Sequence, residues 1–291
     1  MEWRYDSKNR WFKGGTHIHS TASDGGKTFA ELAQIYAEQG YDFLFRTDHR
    51  IASDVAGDRE KYPLLWLDGM EIDGFDDRGS GYHVVCLGTF RGIVPGMSFP
   101  TMMETVRAQD GFCILAHPHW MGNSLEDALA WPFDGVEIYN HVCRNLNGKS
   151  GGQVHWSALL GRNTETFAFA VDDAHISPVH PSWNGGWIMV NAPACNRETI
   201  PDAIRDGNFY ATCGPEFHAI TLKEKTVRVT TSPVCMVQLV GPAYRGMRVG
   251  TIGGPLLRKA VFEIPDDWDY AHLEIEDKTG RRAWTNTLFR T

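Results

Sequence analysis

Apolar positions follow two different periods along the first two thirds of the chain. Over residues 27–39, Phe29, Leu32, Ala33 and Tyr36 recur at helical spacing, and the run stops at Gly40. A short apolar strand follows over 41–45 and ends at Thr47-Asp48-His49. The same strand pattern recurs over 64–67, 83–87, 112–116, 136–139 and 167–171, with helices over 102–109 and 199–206. Short apolar strands that alternate with helices predict a mostly parallel sheet. Polar groups gathered at strand C-terminal ends point to a barrel-like version, whose active site lies at that face. After Cys213-Gly214-Pro215 the pattern becomes short β segments over 219–222, 227–231, 234–240, 260–264 and 272–275, punctuated by Gly241-Pro242 and Gly253-Gly254-Pro255. This predicts an α/β unit over 1–214, then a small antiparallel, sandwich-like β unit over 215–291.

Composition adds limits. With 291 residues, 42% hydrophobic and 22% charged, the chain can bury a large core and has the make-up of a soluble globular protein. No apolar run approaches the ~18 residues needed to span a bilayer, and residues 1–13 have no apolar signal core. A cytoplasmic protein with no membrane partner is expected. The six cysteines are scattered without a C-x-x-C pair, which argues against a disulfide framework or a thiolate zinc site. A net charge of −8 disfavours a polyanion held on a broad basic surface, so a nucleic-acid partner is not expected. A small anion remains compatible if bound metal ions supply the local positive charge. Oligomeric state is not legible.

The twelve histidines carry the chemistry. His17 and His19 form H-x-H, and side chains two apart in an extended segment point the same way. Asp24 follows in Ser-Asp-Gly-Gly, a turn that can fold a carboxylate back toward them. An isolated H-x-H is weak, but similar groups recur around apolar strands: His49, Glu71, His83, His117, and Asp173 with His175. Imidazole and carboxylate ligands suit Zn, Mn, Fe or Ni. So many of them predict one shared metal centre.

These motifs, His17-Ile-His19, Ser23-Asp24-Gly25, Thr47-Asp48-His49, Glu71, His83, Ala116-His117-Pro118 and Asp173-Ala-His175, resemble in their order those of the PHP (polymerase and histidinol phosphatase) superfamily of metal-dependent phosphoesterases. The segments Glu137-Ile-Tyr-Asn140 and Gly207 to Pro215 resemble a bacterial subgroup that carries a small β domain. The resemblance implies a distorted (β/α)7 barrel holding two to three divalent ions (Mn, Zn or Fe). It implies that His17, His19, Glu71 and Asp173 hold the first and that Glu71 bridges to a second on His83 and His117. Asp24, His49 and His175 would hold a third. Catalysis would fall to His17, His19, Glu71, His117 and Asp173, with a metal-activated hydroxide as nucleophile. Three carboxylates against three divalent ions leave a formal surplus of about three positive charges, which suits a phosphate.

Some assignments rest on local physics. Asp173 shares the parity of His175 in an extended strand, and Asp172 faces away as a structural acceptor. Glu71 is preferred to Asp73 by position in the family pattern. Asp48 is either an acceptor for an imidazole N–H or a strand-end cap. Arg144, His119 and His180 are candidate substrate-binding residues, each with an ordinary structural reading beside it. Trp120, Trp131, Trp156, Trp183 and Trp187 either wall a pocket or pack the core. The expected function is hydrolysis of a small phosphorylated metabolite, a nucleotide or sugar phosphate. Two alternatives are a metal-dependent hydrolase of a non-phosphate bond and a carbohydrate- or partner-binding protein with a PHP-like metal site.

Overall fold

The computed structural model describes residues 2–5, 8–58 and 61–290. The strands are β1 (Glu2–Trp3), β2 (Arg10–Gly15), β3 (Phe43–Arg46), β4 (Leu65–Phe75), β5 (Gly81–Leu87), β6 (Phe112–Leu115), β7 (Gly135–Asn140), β8 (Phe167–Val171), β9 (Trp187–Ala192) and β10 (Phe209–Thr212). They continue as β11 (Phe217–Lys223), β12 (Thr226–Val234), β13 (Met236–Val240), β14 (Gly246–Gly250), β15 (Leu257–Glu263), β16 (His272–Glu276), β17 (Arg282–Thr285) and β18 (Phe289–Arg290). The helices are short: α1 (Phe29–Glu38), α2 (Phe99–Arg107), α3 (Pro118–Met121), α4 (Leu125–Ala128), α5 (His141–Asn147), α6 (Gln153–Leu160) and α7 (Thr199–Arg205).

The chain is α/β, built on one 13-stranded sheet ordered β14-β13-β16-β17-β10-β9-β2-β3-β4-β5-β6-β7-β8. β2, β3 and β4 are parallel, as are β6, β7 and β8. β5 runs antiparallel to both β4 and β6, so the sheet is more mixed than the hydrophobic pattern predicts. The reason is connection length. Only residues 76–80 separate β4 from β5, and a parallel return needs a dozen or more. Asp76 closes that turn by accepting the N–H groups of Arg78 and Ser80.

The C-terminal strands do not form a wholly separate layer. β10 pairs with β17 (Ala211 opposite Trp284), which carries the large sheet onward through β16, β13 and β14. Among the described residues β11, β12 and β15 form a second sheet, and β18 pairs with β1 in a third of two strands. Val227, Val229 and Phe262 of that sheet share a core with Leu239, Leu273 and Ile275 of the large one.

Packing explains why the polar groups collect at one end. Phe12, Phe43, Phe45, Phe112, Phe167, Phe169 and Phe209 pack into one buried core against the sheet, and Ile200 and Ile204 of α7 add to the same core. Such a core gives polar side chains no partner, so they emerge where the parallel strands end. α1 is fixed locally. Thr28 and Glu31 form a reciprocal capping box, and Leu32, Ala33 and Tyr36 are its buried face. Among the described residues no helix is long and apolar enough to cross a membrane.

One glycine is required by this core. Gly14 pairs with Phe43, and a Cβ at Gly14 would overlap the Phe43 ring, which is fully buried. Gly14→Ala is expected to lower unfolding free energy by ~1–3 kcal/mol, the usual range for overpacking a core, as measured by urea denaturation.

Candidate metal centre

The candidate ligands come from segments that follow, or lie within, the central strands. Beyond β2, Ile18 forms a parallel bridge with Ala174, and Thr47 Oγ1 accepts from Ile18 N and donates to Ile18 O. Ile18 is thereby held in the apolar core, and the histidines on either side of it face the other way. His49 and Glu71 are joined by a second parallel bridge. His83 lies in β5, and His117 follows β6 directly.

Four ligand atoms form a tight group. His17 Nε2 lies 3.1 Å from His19 Nε2, 3.2 Å from Glu71 Oε2 and 3.3 Å from Asp173 Oδ1. His19 Nε2 lies 3.3 Å from Glu71 Oε2 and 3.1 Å from Asp173 Oδ1. Ligands around one ion at ~2.0–2.1 Å stand roughly 3.3 Å apart, so the His17, His19 and Asp173 atoms suit a single cation, with Glu71 Oε2 close to both imidazoles. Glu71 faces two ways. Its Oε2 meets His17, His19 and His49 (3.2 Å), while its Oε1 lies 2.8 Å from His83 Nδ1 and 3.5 Å from His117 Nε2. On the open side, Asp24 Oδ2 lies 3.3 Å from His175 Nε2 and 3.9 Å from His49 Nε2. Asp24 is the exposed member, with 54% of its side chain in water, whereas His17 and His19 are fully buried. All nine candidate ligands are therefore brought together.

The donor set fits divalent cations. Glu71 Oε2, His19 Nδ1 and His49 Nδ1 are buried without a hydrogen-bond partner, which ordinarily costs ~1–3 kcal/mol each. Three overlapping groups, His17/His19/Asp173, His49/Glu71/His83 and His19/Asp24/His49/His175, each present ligand atoms close enough to share an ion. Charge interactions point the same way. Burial opposes ionisation of Glu71, but the His17 charge and the close approach of the His117, His17 and His19 imidazoles hold its carboxyl well below the ordinary value. Burial likewise opposes charging His17, yet Asp173, Glu71 and Glu137 lift it well above the ordinary imidazole range. His19 is pushed up to about 9: burial opposes this, and Asp173 and Glu71 outweigh it. Buried carboxylates of this kind are stable only beside compensating positive charge.

The backbone is strained around this group. Arg50 (φ 53), His117 (φ 28), Asp173 (φ 54) and Ile176 (φ 41) are left-handed without being glycine, and each is a candidate ligand or directly follows one. Such residues cost ~1–3 kcal/mol apiece and persist where surrounding contacts over-determine them. At Asp173 this changes the basis for choosing it over Asp172. The strand ends at Val171 and Asp173 is not extended, so strand alternation does not describe its direction. The two carboxylates are nevertheless divided. Asp173 enters the His17/His19 group, while Asp172 accepts from Asn184 N, Gly185 N, Gly186 N and the Tyr36 hydroxyl at 2.7–3.0 Å.

Whole-fold similarity bears on this arrangement. A two-domain protein from Bacteroides vulgatus, containing a predicted PHP-like metal-dependent phosphoesterase, superposes with a TM-score of 0.56 at 14% identity, covering 99% of this chain and 98% of that one. The chain has a PHP-like fold. The phosphoribosyl 1,2-cyclic phosphate 1,2-diphosphodiesterase of Eggerthella lenta is 32% identical over 80 residues. That match spans 26% of this chain and 30% of that protein's length. No protein-family model matches the chain.

Around this group, further carboxylates hold the histidines in place. Glu137 of β7 is fully buried, and its Oε1 takes His17 Nδ1 at 2.6 Å, which turns His17 Nε2 toward the group. Its Oε2 accepts from His117 N (2.8 Å) and Asn140 Nδ2 (2.9 Å), and Asn140 Nδ2 also reaches Asp173 Oδ2 at 3.2 Å. The motif reading gave Glu137 no role. A signal was present, because a lone carboxylate in an otherwise apolar buried strand needs a partner. Asp48 turns out to bind no imidazole. It accepts from the backbone and hydroxyls of Ser20 and Ser23, which anchors the loop bearing Asp24.

A cavity of about 610 Å³ opens over the centre. Asp24, His49, Glu71, His83, His117, Asp173 and His175 line it, together with Trp120, Val142, Cys143, Leu146, Asn147 and His180. Of the candidate substrate residues, His180 lies in the lining. Arg144 and His119 are exposed and do not line it, and Arg144 lies instead beside the Tyr139 hydroxyl. Of the tryptophans, Trp120 alone lines it; Trp156 is core, and Trp131, Trp183 and Trp187 pack at the edge of the core.

Two outcomes separate centre from support. Asp172→Ala is expected to cost ~3 kcal/mol of stability by stranding four donors, while the folded protein keeps its metal; Asp173→Asn is expected to keep the fold by circular dichroism and lose metal by elemental analysis. Glu137→Gln is expected to weaken metal affinity ~10–100-fold in a chelator titration, without removing any direct ligand.

Proposed function

We propose that this chain is a metal-dependent phosphoesterase acting on a small phosphorylated metabolite. The observation that carries the reading is the two-faced Glu71, whose oxygens each meet a different set of imidazoles inside a PHP-like fold. The 80-residue likeness to a cyclic-phosphate diphosphodiesterase favours a phosphate ester over other bonds. We read the central sheet as the distorted barrel of that fold, since β8 also touches β9 and β10, and the protein as cytoplasmic.

His17, His19, Glu71 and Asp173 would hold one divalent ion. His83 and His117, with the other Glu71 oxygen, would hold a second, and Asp24, His49 and His175 a third. Mn, Zn and Fe all suit these ligands. Such ions supply positive charge to a phosphoryl oxygen and acidify coordinated water. The chain's own groups orient and exclude. Glu137 fixes His17, and the His175 Nδ1–H donates to the Asp173 carbonyl (2.9 Å), leaving Nε2 toward Asp24. Trp120 stands edge-on to His117 and His83 and would border the substrate on that side. His180 lies in the cavity lining and would meet the substrate there.

The test strips the protein and reloads it with Mn²⁺, Zn²⁺ or Fe²⁺, then screens phosphate monoesters, diesters and cyclic phosphates, with metal content measured on the same samples. Phosphate ester turnover is expected, with kcat/KM falling at least ~100-fold in His117→Ala. Full metal loading with no phosphate ester cleaved would sink the reading in favour of a non-phosphate bond.

A further inference from the structure

We infer that the substrate is an ester of a single phosphate whose organic part is planar and apolar, and that Trp120 and Leu146 select it. This rests on the phosphoesterase reading above and narrows it.

Besides the candidate ligands, the cavity is lined by Trp120, Val142, Cys143 and Leu146, with Asn147 and His180 as its other polar residues. Trp120 is 36% exposed and Leu146 45% exposed, so both leave large apolar surface in water directly beside a charged centre. Neither is a core residue left slightly uncovered, because both line the cavity itself. Val142, Leu146 and His180 also line an adjoining groove of about 320 Å³, together with Val179, 78% exposed, Pro181 and the polar Asn145 and Ser182. The apolar lining therefore continues outward from the centre. Apolar surface of this kind beside convergent polar groups is the usual make-up of a small-molecule site.

Both side chains are held by the elements that hold the ligands. Trp120 N donates to His117 O (2.9 Å), one turn beyond a candidate ligand, and its ring stands 5.1 Å from the His117 ring. Leu146 lies on α5, which is capped by Asn140 through Cys143 N, and Asn140 bonds both Glu137 and Asp173. The distance between phosphate site and apolar lining is thus set by the fold.

Charge defines the rest of the substrate. Among the described lining residues there is no Lys or Arg. Arg144 shares α5 with Leu146 but sits by Tyr139 instead. A second phosphate would meet no Lys or Arg there, and a polyol would find few polar partners, Asn147 and His180 in the cavity and Asn145 and Ser182 in the groove. A flat apolar ring instead gains contact with Trp120 and Leu146.

Phenylphosphonate and methylphosphonate test this on the metal-loaded full chain, because neither is hydrolysed. By calorimetry, phenylphosphonate is expected to bind about tenfold more tightly than methylphosphonate, the gain expected of one buried ring, and to perturb tryptophan fluorescence. The gap should narrow to about twofold in Trp120→Ala and, separately, in Leu146→Ser, with metal content measured in each. Equal binding of both ligands to the parent chain would overturn the inference while leaving the phosphoesterase reading intact. A gap that persists in both variants would overturn the assignment to Trp120 and Leu146. Absence of binding by either phosphonate would overturn the phosphoesterase reading and this inference with it.

Discussion

An ionised carboxylate in the interior must be surrounded by positive charge or donors, and Glu71 sets that requirement for this protein. It is 1% exposed, and imidazoles of His17, His19, His49, His83 and His117 approach it from both faces. No single element of the chain delivers five histidines to one point. A sheet whose strands end on the same side does, because each strand end contributes one or two side chains at a fixed spacing. β4 runs for 11 residues, long enough to carry Glu71 past the apolar core and onto that rim.

Around this group the chain spends three more carboxylates on support. Glu137 orients His17, Asp48 pins the loop that presents Asp24, and Asp172 ties the end of β8 to Tyr36 and to residues 184–186. Each takes several donors and none joins the candidate ligand set. The division of labour is physical. A carboxylate with its lone pairs filled by N–H and O–H groups is stable when buried without a metal, whereas Glu71 keeps one oxygen with no hydrogen-bond donor. The left-handed residues at His117 and Asp173 belong to the same design, since the backbone bends sharply to bring their side chains inward.

Much of this was legible in the sequence, and the exceptions have reasons. Short, wholly apolar strands such as Phe167–Val171 announce themselves, and so do the histidines next to them. The antiparallel β5 was harder, because a buried strand shows no direction in its composition. It is the five-residue link after Phe75 that decides it. The junction of β10 with β17 was invisible for a different reason. Alternation specifies which face is buried but not which strand lies alongside, and these partners are about 70 residues apart. Glu137 was quoted within a motif yet given no task, since nothing local shows that its partner is His17, 120 residues away. Arg144 illustrates the opposite case. It was expected in a loop at the active face and lies instead on α5, and whether an exposed side chain turns toward a cavity or away from it depends on neighbours such as Tyr139.

The adjacent pair Asp172 and Asp173 has a consequence for how this segment can change over time. The two carboxylates sit back to back, one saturated by four donors and the other turned into the imidazole group. Side chains here can be exchanged one at a time and judged one at a time. Chain length cannot, because inserting or deleting a single residue between Val171 and His175 would exchange the two positions, stranding the donors of one and emptying the place of the other. The stretch is therefore of fixed length, a spacer whose count of peptide bonds carries as much information as its chemistry.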